Sequence, residues 1–139
     1  MIARLRLILV ATLFSGFATA SLANDPSIQD CSKVPDYRAM IACYEQLSVD
    51  TNAKVTQAYE LMMKRLGSSP AADLLSRSQK AWLDYQSTYC DYVASANEGG
   101  SIIRMTVPSC RAEIAESRLR ELEGQVNCQE GTFGCFPQH

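Results

Sequence analysis

Six cysteines, Cys31, Cys43, Cys90, Cys110, Cys128 and Cys135, are the residues of this chain with the most chemistry to offer. Thiolates can hold a metal, shuttle electrons or pair covalently, and spacing separates these uses. No two of the six stand in the C-x-x-C arrangement of a zinc ribbon or a redox pair. The sole histidine, His139, is the last residue of the sequence. Neither a metal nor any other cofactor is expected. An even number of cysteines in a small exported chain reads instead as three disulfides.

Export is read from the N-terminus. Arg4 and Arg6 precede an apolar run from Leu7 to Phe17, and small residues follow in "ATASLAND". That is the layout of a secretory signal peptide, and the run is short for a bilayer span. Cleavage is expected after Ala20 or Ala23, with Ala23 preferred. Residues 1–23 then form the leader, and 24–139 form one domain with a Cys-containing tail from about residue 124. No cysteine stands where a lipid would be attached, and no later stretch approaches membrane length. The expected location is periplasmic or secreted. The leader holds Arg4 and Arg6 but none of the 15 acidic residues, so the remainder is more acidic than the formal −2 of the whole sequence. Nucleic acid needs a cationic surface and is not an expected partner.

Other catalytic constellations are hard to assemble. No internal histidine exists for a Ser–His or Cys–His pair. "EGGS" lacks the lysine and the spacing of a phosphate-binding loop. Carboxylate pairs such as Asp84 with Asp91, or Glu113 with Glu116, could serve glycoside hydrolysis, but any solvated helix carries such pairs. The chain is expected not to be an enzyme.

The elements that position these residues are helical, since period-2 alternation and hairpin turns are scarce. A first helix is expected after Pro35, through Tyr37, Met40, Ile41 and Tyr44. A second runs from about Ser48 or Asp50 to Leu66, where Gly67 supplies a stop; whether the two are continuous is left open. Ser69 and Pro70 open a third, to about Ala96. Thr106 and Pro108 mark the start of a fourth, ending near Gly124, with Ile114, Ala115, Leu119, Leu122 and Val126 on its apolar face. The fold expected is all-α, a small disulfide-stapled bundle of about four helices.

Within the third helix Leu75, Ser78, Trp82, Tyr85, Tyr89 and Tyr92 step by three and four and so share one stripe. Aromatic stripes at this spacing usually form core, and that is the expectation here; a binding face is the alternative. Arg118 falls near the apolar face of the fourth helix. It is expected to hydrogen-bond third-helix side chains or the loop, with a partner contact as the alternative. Cys90 and Cys110 lie nearly symmetrically about Gly99 and Gly100, so a helical hairpin turning there would bring them together. Cys31 could reach Cys43, and Cys128 could reach Cys135. Six cysteines allow about fifteen connectivities, and spacing alone does not choose among them.

The set Gln79-x-x-Trp82-x-x-Tyr85-x-x-x-x-Cys90, then Gly99-Gly100-Ser101, then Cys110 and Arg118-x-x-x-Leu122, resembles the LprI-type lysozyme inhibitor domain. Cys31, Cys43, Tyr59, Leu61, Met62 and Leu66 fit the same pattern, so the likeness spans roughly residues 31 to 123. Gln79, Trp82, Tyr85, Tyr89 and Arg118 are its structural motif residues. The chain departs from the family at Gln86, where an arginine is frequent, and at Asn52 and Thr56, where Asp and Asn are frequent.

The resemblance implies a small exported helical domain that binds and occludes a lysozyme without catalysis. Lysozymes are commonly basic and carry carboxylates in a cleft. An inhibitor could therefore combine an acidic rim with an inserted loop. The best loop is Asn97 to Arg104, polar and Gly-flexible, with Glu98, Gly99, Gly100, Ser101 and Arg104 as the expected partner-binding residues. The alternative is a structural or adaptor module that binds another envelope protein.

Overall fold

The computed structural model describes residues 27–97 and 99–136. The expected leader, Glu98 and His139 lie outside the described residues. Four helices and no strands make up the described chain: α1 (Ile28–Ser32), α2 (Tyr37–Leu66), α3 (Pro70–Ser95) and α4 (Ile103–Val126). The fold is all-α, with three cysteine pairs joined.

The single turn of α1 was not anticipated. It survives at five residues because Ser27 and Asp30 form a reciprocal capping box. The Ser27 hydroxyl donates to Asp30 Oδ2 at 2.6 Å. That bond first, then the Ser27 backbone N–H, holds the Asp30 carboxyl below its ordinary range, with Lys33 assisting. A lowered carboxyl pKa makes this cap fully effective above the ordinary value; the effect is lost as pH falls through the lowered one. The turn delivers Cys31 into full burial.

The first two expected helices are one. Asp36 caps α2 by accepting from the Ala39 N–H at 2.8 Å, and the helix runs 30 residues without interruption. The start signal at Ser48 and Asp50 does not act as one. Ser48 and Thr51 are buried on the inner face, while Asp50 accepts from Gln46 one turn back. Gly67 closes the helix at φ 55°, a conformation that glycine adopts without steric cost.

Helix α3 starts as expected, with Ser69 as cap and Pro70 in its first turn. The start of the fourth helix is corrected from Thr106–Pro108 to Ile103, so Pro108 lies inside α4. Its first turn uses tighter bonds, Arg104 N–H to Ser101 O and Met105 N–H to Ile102 O. Pro108 can deny a bond only to the carbonyl of Arg104, within that opening turn, so the ring is tolerated there.

Helices α2 and α4 form the main packed pair, and α3 leans chiefly on α4. Helices α2 and α4 run in the same direction. Tyr44 and Leu47 meet Ala112 near the α3–α4 turn, whereas Val55 and Ala58 meet Ala115 and Leu122 farther along. At the far end Arg65 donates to the Val126 carbonyl at 2.6 Å. Alanines at 58, 112 and 115 let the two backbones approach closely. Leu47, Val55 and Leu122 are nearly inaccessible, and each contributes about 1.5–3 kcal/mol of burial.

Cys31–Cys43, Cys90–Cys110 and Cys128–Cys135 are bonded, with Cα separations of 5.5, 5.7 and 5.9 Å. They close loops of sequence separation 12, 20 and 7 respectively. Closure entropy grows with loop length, and a crosslink of this kind stabilises by about 2–4 kcal/mol. Replacing both cysteines by serine is therefore expected to lower the urea midpoint most for Cys90–Cys110. The Cys31–Cys43 loss should be intermediate, and the Cys128–Cys135 loss smallest.

Candidate partner-binding surface

The expected aromatic core of α3 holds for Leu75 and Trp82, which pack against the Val55–Leu122 cluster, and is overturned for the three tyrosines. Tyr85, Tyr89 and Tyr92 are 54%, 42% and 71% exposed. Trp82 is half-buried against the Val55–Leu122 cluster. The residues that α3 buries are Ala72, Gln79, Gln86, Cys90 and Ala94. The inner face is thus rotated by about one residue, roughly 100° of helix, from the aromatic stripe. The cause is Cys90. Its bond to Cys110 points that position at α4, and Gln86 and Gln79, one and three turns back, share its face. A paired cysteine marks an inward face more firmly than a tyrosine does, but spacing left the pairing of Cys90 open, so the rotation of α3 was fixed only in the fold.

The buried glutamines make the α3–α4 seam polar. Gln86 Nε2 donates to the Arg111 carbonyl at 3.0 Å and to Asn52 Oδ1 at 3.2 Å, tying α3 to both other long helices. Asn52 in turn donates to the Ser48 carbonyl. Farther from the turn, Arg118 is only 9% exposed. Its Nε donates to Gln79 Oε1 at 3.1 Å, one terminal nitrogen to Ser78 Oγ at 3.2 Å, and the other to Glu121 Oε2 at 2.9 Å. A buried guanidinium costs several kcal/mol of lost hydration unless its donors are used, and here the fork meets three acceptors. Arg118 therefore holds α3 to α4 and does not face solvent.

Gln79, Trp82 and Arg118 lie within or beside the seam, whereas Tyr85 and Tyr89 stand outside it. The Tyr85 and Tyr89 rings stack at a centroid distance of 5.3 Å, and Tyr89 and Tyr92 follow at 6.2 Å. Beneath Trp82 and Tyr85 runs a groove of about 260 Å3, with Glu113, Ser117 and Glu121 of α4 along its other wall.

The α3–α4 turn is exposed at Gly99, Gly100 and Ser101. Gly99 has φ 79°, which disfavours any side chain there. The Tyr37 hydroxyl donates to the Ser101 carbonyl across the bundle, a tether that sequence reading missed. Arg104 is exposed but lies in the first turn of α4, not in the loop. A second depression, about 350 Å3 and almost wholly apolar, opens at the opposite end of the bundle among Met62, Leu66, Leu74, Leu122 and Phe136. The tail reaches it through Phe136, the residue after Cys135.

Among the described residues no cluster of three or more His, Cys, Asp or Glu could hold a metal. No helix among them is long and apolar enough to cross a membrane.

The family described as "Lysozyme inhibitor LprI" matches residues 31–122, which leaves the Cys128–Cys135 tail outside the matched stretch. "Uncharacterized protein R02472" of Rhizobium meliloti (strain 1021) is 28% identical over 113 residues, covering 73% of this chain and 81% of that protein. No solved structure matches.

The polar seam has a measurable signature. Arg118→Met strands Gln79 Oε1, and is expected to lower unfolding free energy by about 1–3 kcal/mol. Gln79→Leu added to it should recover part of that loss by removing the stranded acceptor. Arg118→Lys should not, because a single ammonium cannot meet three acceptors in fork geometry. Urea unfolding of the three variants checks the order.

Proposed function

Because the chain belongs to the lysozyme inhibitor LprI family, we propose that it is an exported protein that binds a muramidase and blocks its cleft without catalysis. The periplasm, or the medium beyond it, is its site of action. Family membership and three disulfides fit an extracytoplasmic protein.

The observation that carries the reading is the fastening of the α3–α4 loop. Its base is crosslinked by Cys90–Cys110, and its tip is tied by the Tyr37–Ser101 hydrogen bond. Its exit is bonded into the opening turn of α4. A loop held at both ends and at its tip loses little freedom on binding, so most of its contact energy appears as affinity. Glycines at 99 and 100 keep the tip narrow, and Glu98, Ser101 and Arg104 supply the polar contacts. Inhibition is then steric: the loop enters the cleft and the stapled bundle stands behind it.

A bacterial-wall lysis assay with the oxidised protein tests this. Inhibition near one-to-one stoichiometry is expected, and it should disappear on reduction. Changing Glu98, Ser101 and Arg104 together to alanine should weaken it by about tenfold or more, the usual consequence of losing central contacts. Full potency in that variant would remove the loop from the mechanism. A folded wild-type protein that never inhibits, but captures another envelope protein, would replace the inhibitor reading with that of an adaptor module.

A further inference from the structure

We propose that the outward face of α3, Tyr85 to Tyr92, and the groove under Trp82 form a second contact with the muramidase, and that the groove takes one lysine or arginine side chain of a basic partner. This rests on the inhibitor reading above and extends it from the loop to the helix that leads into it.

The bundle gives the three tyrosines no structural task. Both core clusters close without them, and yet all three rings stand in solvent on successive turns. Seven residues of helix set them along about 10 Å. Each ring packs on the next, which restrains rotamers that a free surface tyrosine would sample. Stacked, pre-ordered tyrosines offer large contact area at small entropic cost, the property that favours this residue at binding hot spots. The stripe is also continuous with the loop, since Tyr92 lies one turn before the end of α3.

The charge around the stripe selects the occupant. Glu121 is already engaged by Arg118 at 2.9 Å. Glu113 makes no ion pair among the described residues, and shares the groove with the Trp82 and Tyr85 rings. Asp84 and Asp91 are exposed on α3 beside the tyrosines; Arg77 and Lys80 precede the stripe. The groove is also lined by the Arg118 guanidinium, whose charge is met by Glu121. An entering ammonium or guanidinium therefore finds Glu113 as the carboxylate without an ion pair, beside the Trp82 and Tyr85 rings, a combination of ionic and cation–π attraction. The groove volume, about 260 Å3, suits a side chain and not a polysaccharide. A second copy of this chain would bring carboxylates against carboxylates.

The test uses the purified oxidised protein against a cationic animal-type lysozyme, with lysis inhibition and direct binding both recorded. Tyr89→Ala with Tyr92→Ala is expected to weaken both by about tenfold. Glu113→Gln should weaken binding several-fold at low salt and scarcely at high salt, because it removes the screened part of the attraction. Leu61→Ala, an exposed change on α2, should leave both readouts unaltered. Helical content and intact disulfides are checked for every variant. If the wild type inhibits and the tyrosine and Glu113 variants match it, this surface is wrong while the inhibitor reading stands. If Leu61→Ala weakens binding as much as they do, the surface assignment also falls. If the folded wild type neither binds nor inhibits, both inferences fall together. Loss with the tyrosine pair but none with Glu113→Gln at low salt would overturn the cation site.

Discussion

Helix α3 could pack against the α2–α4 pair through more than one of its faces. The crosslink between Cys90 and Cys110 removes that freedom. A covalent bond at one point of a rigid helix sets its rotation along the whole length, because every side chain keeps its angular offset from the bonded one. With Cys90 turned inward, Gln86 and Gln79 must follow and Tyr85, Tyr89 and Tyr92 must turn outward. Everything distinctive about this molecule, the polar seam and the exposed rings alike, descends from that rotation.

A seam built from glutamine and arginine is a demanding way to hold a helix. Polar groups withdrawn from water return little net energy when bonded and cost much when stranded. The seam works because its members are matched. Gln86 bridges to Asn52 and to a backbone carbonyl, and the Arg118 fork is filled by Gln79, Ser78 and Glu121. Such bonds are directional, so they define the register of α3 on α4 in a way that sliding apolar contacts do not. The apolar contribution comes chiefly from the α2–α4 pair, where alanines allow close approach. Burial thus holds two helices together, while crosslink and hydrogen bonds align the third.

This division suits a protein that acts by presenting a surface. The loop and the aromatic stripe both sit on the hairpin of α3 and α4, and that hairpin is the part held by geometry-specific bonds. Asn52 and Gln86, two of the three positions at which the sequence was read as departing from the family pattern, are hydrogen-bonded across α2 and α3. This neutral amide pair joins α2 to α3 and helps to keep the alignment of α3.

Much of this was legible in the residues. Caps at Ser69 and stops at Gly67, the scarcity of strand patterns, and cysteine positions symmetric about a glycine pair carried the helical class, two helix boundaries and the expectation of a Cys90–Cys110 bridge, while the choice among connectivities was made only by the fold. These are local signals, and each depends on a few neighbouring residues. The union of the first two helices was not legible, because Ser48 and Asp50 look like caps until their side chains are seen to face the core or the preceding turn. The outward position of the tyrosines and the Tyr37–Ser101 tether were decided only in three dimensions. A spacing of three and four says which side chains share a face, but not which way the face points. That depends on where the partner helices stand, and here a single bond between residues 90 and 110 settled it.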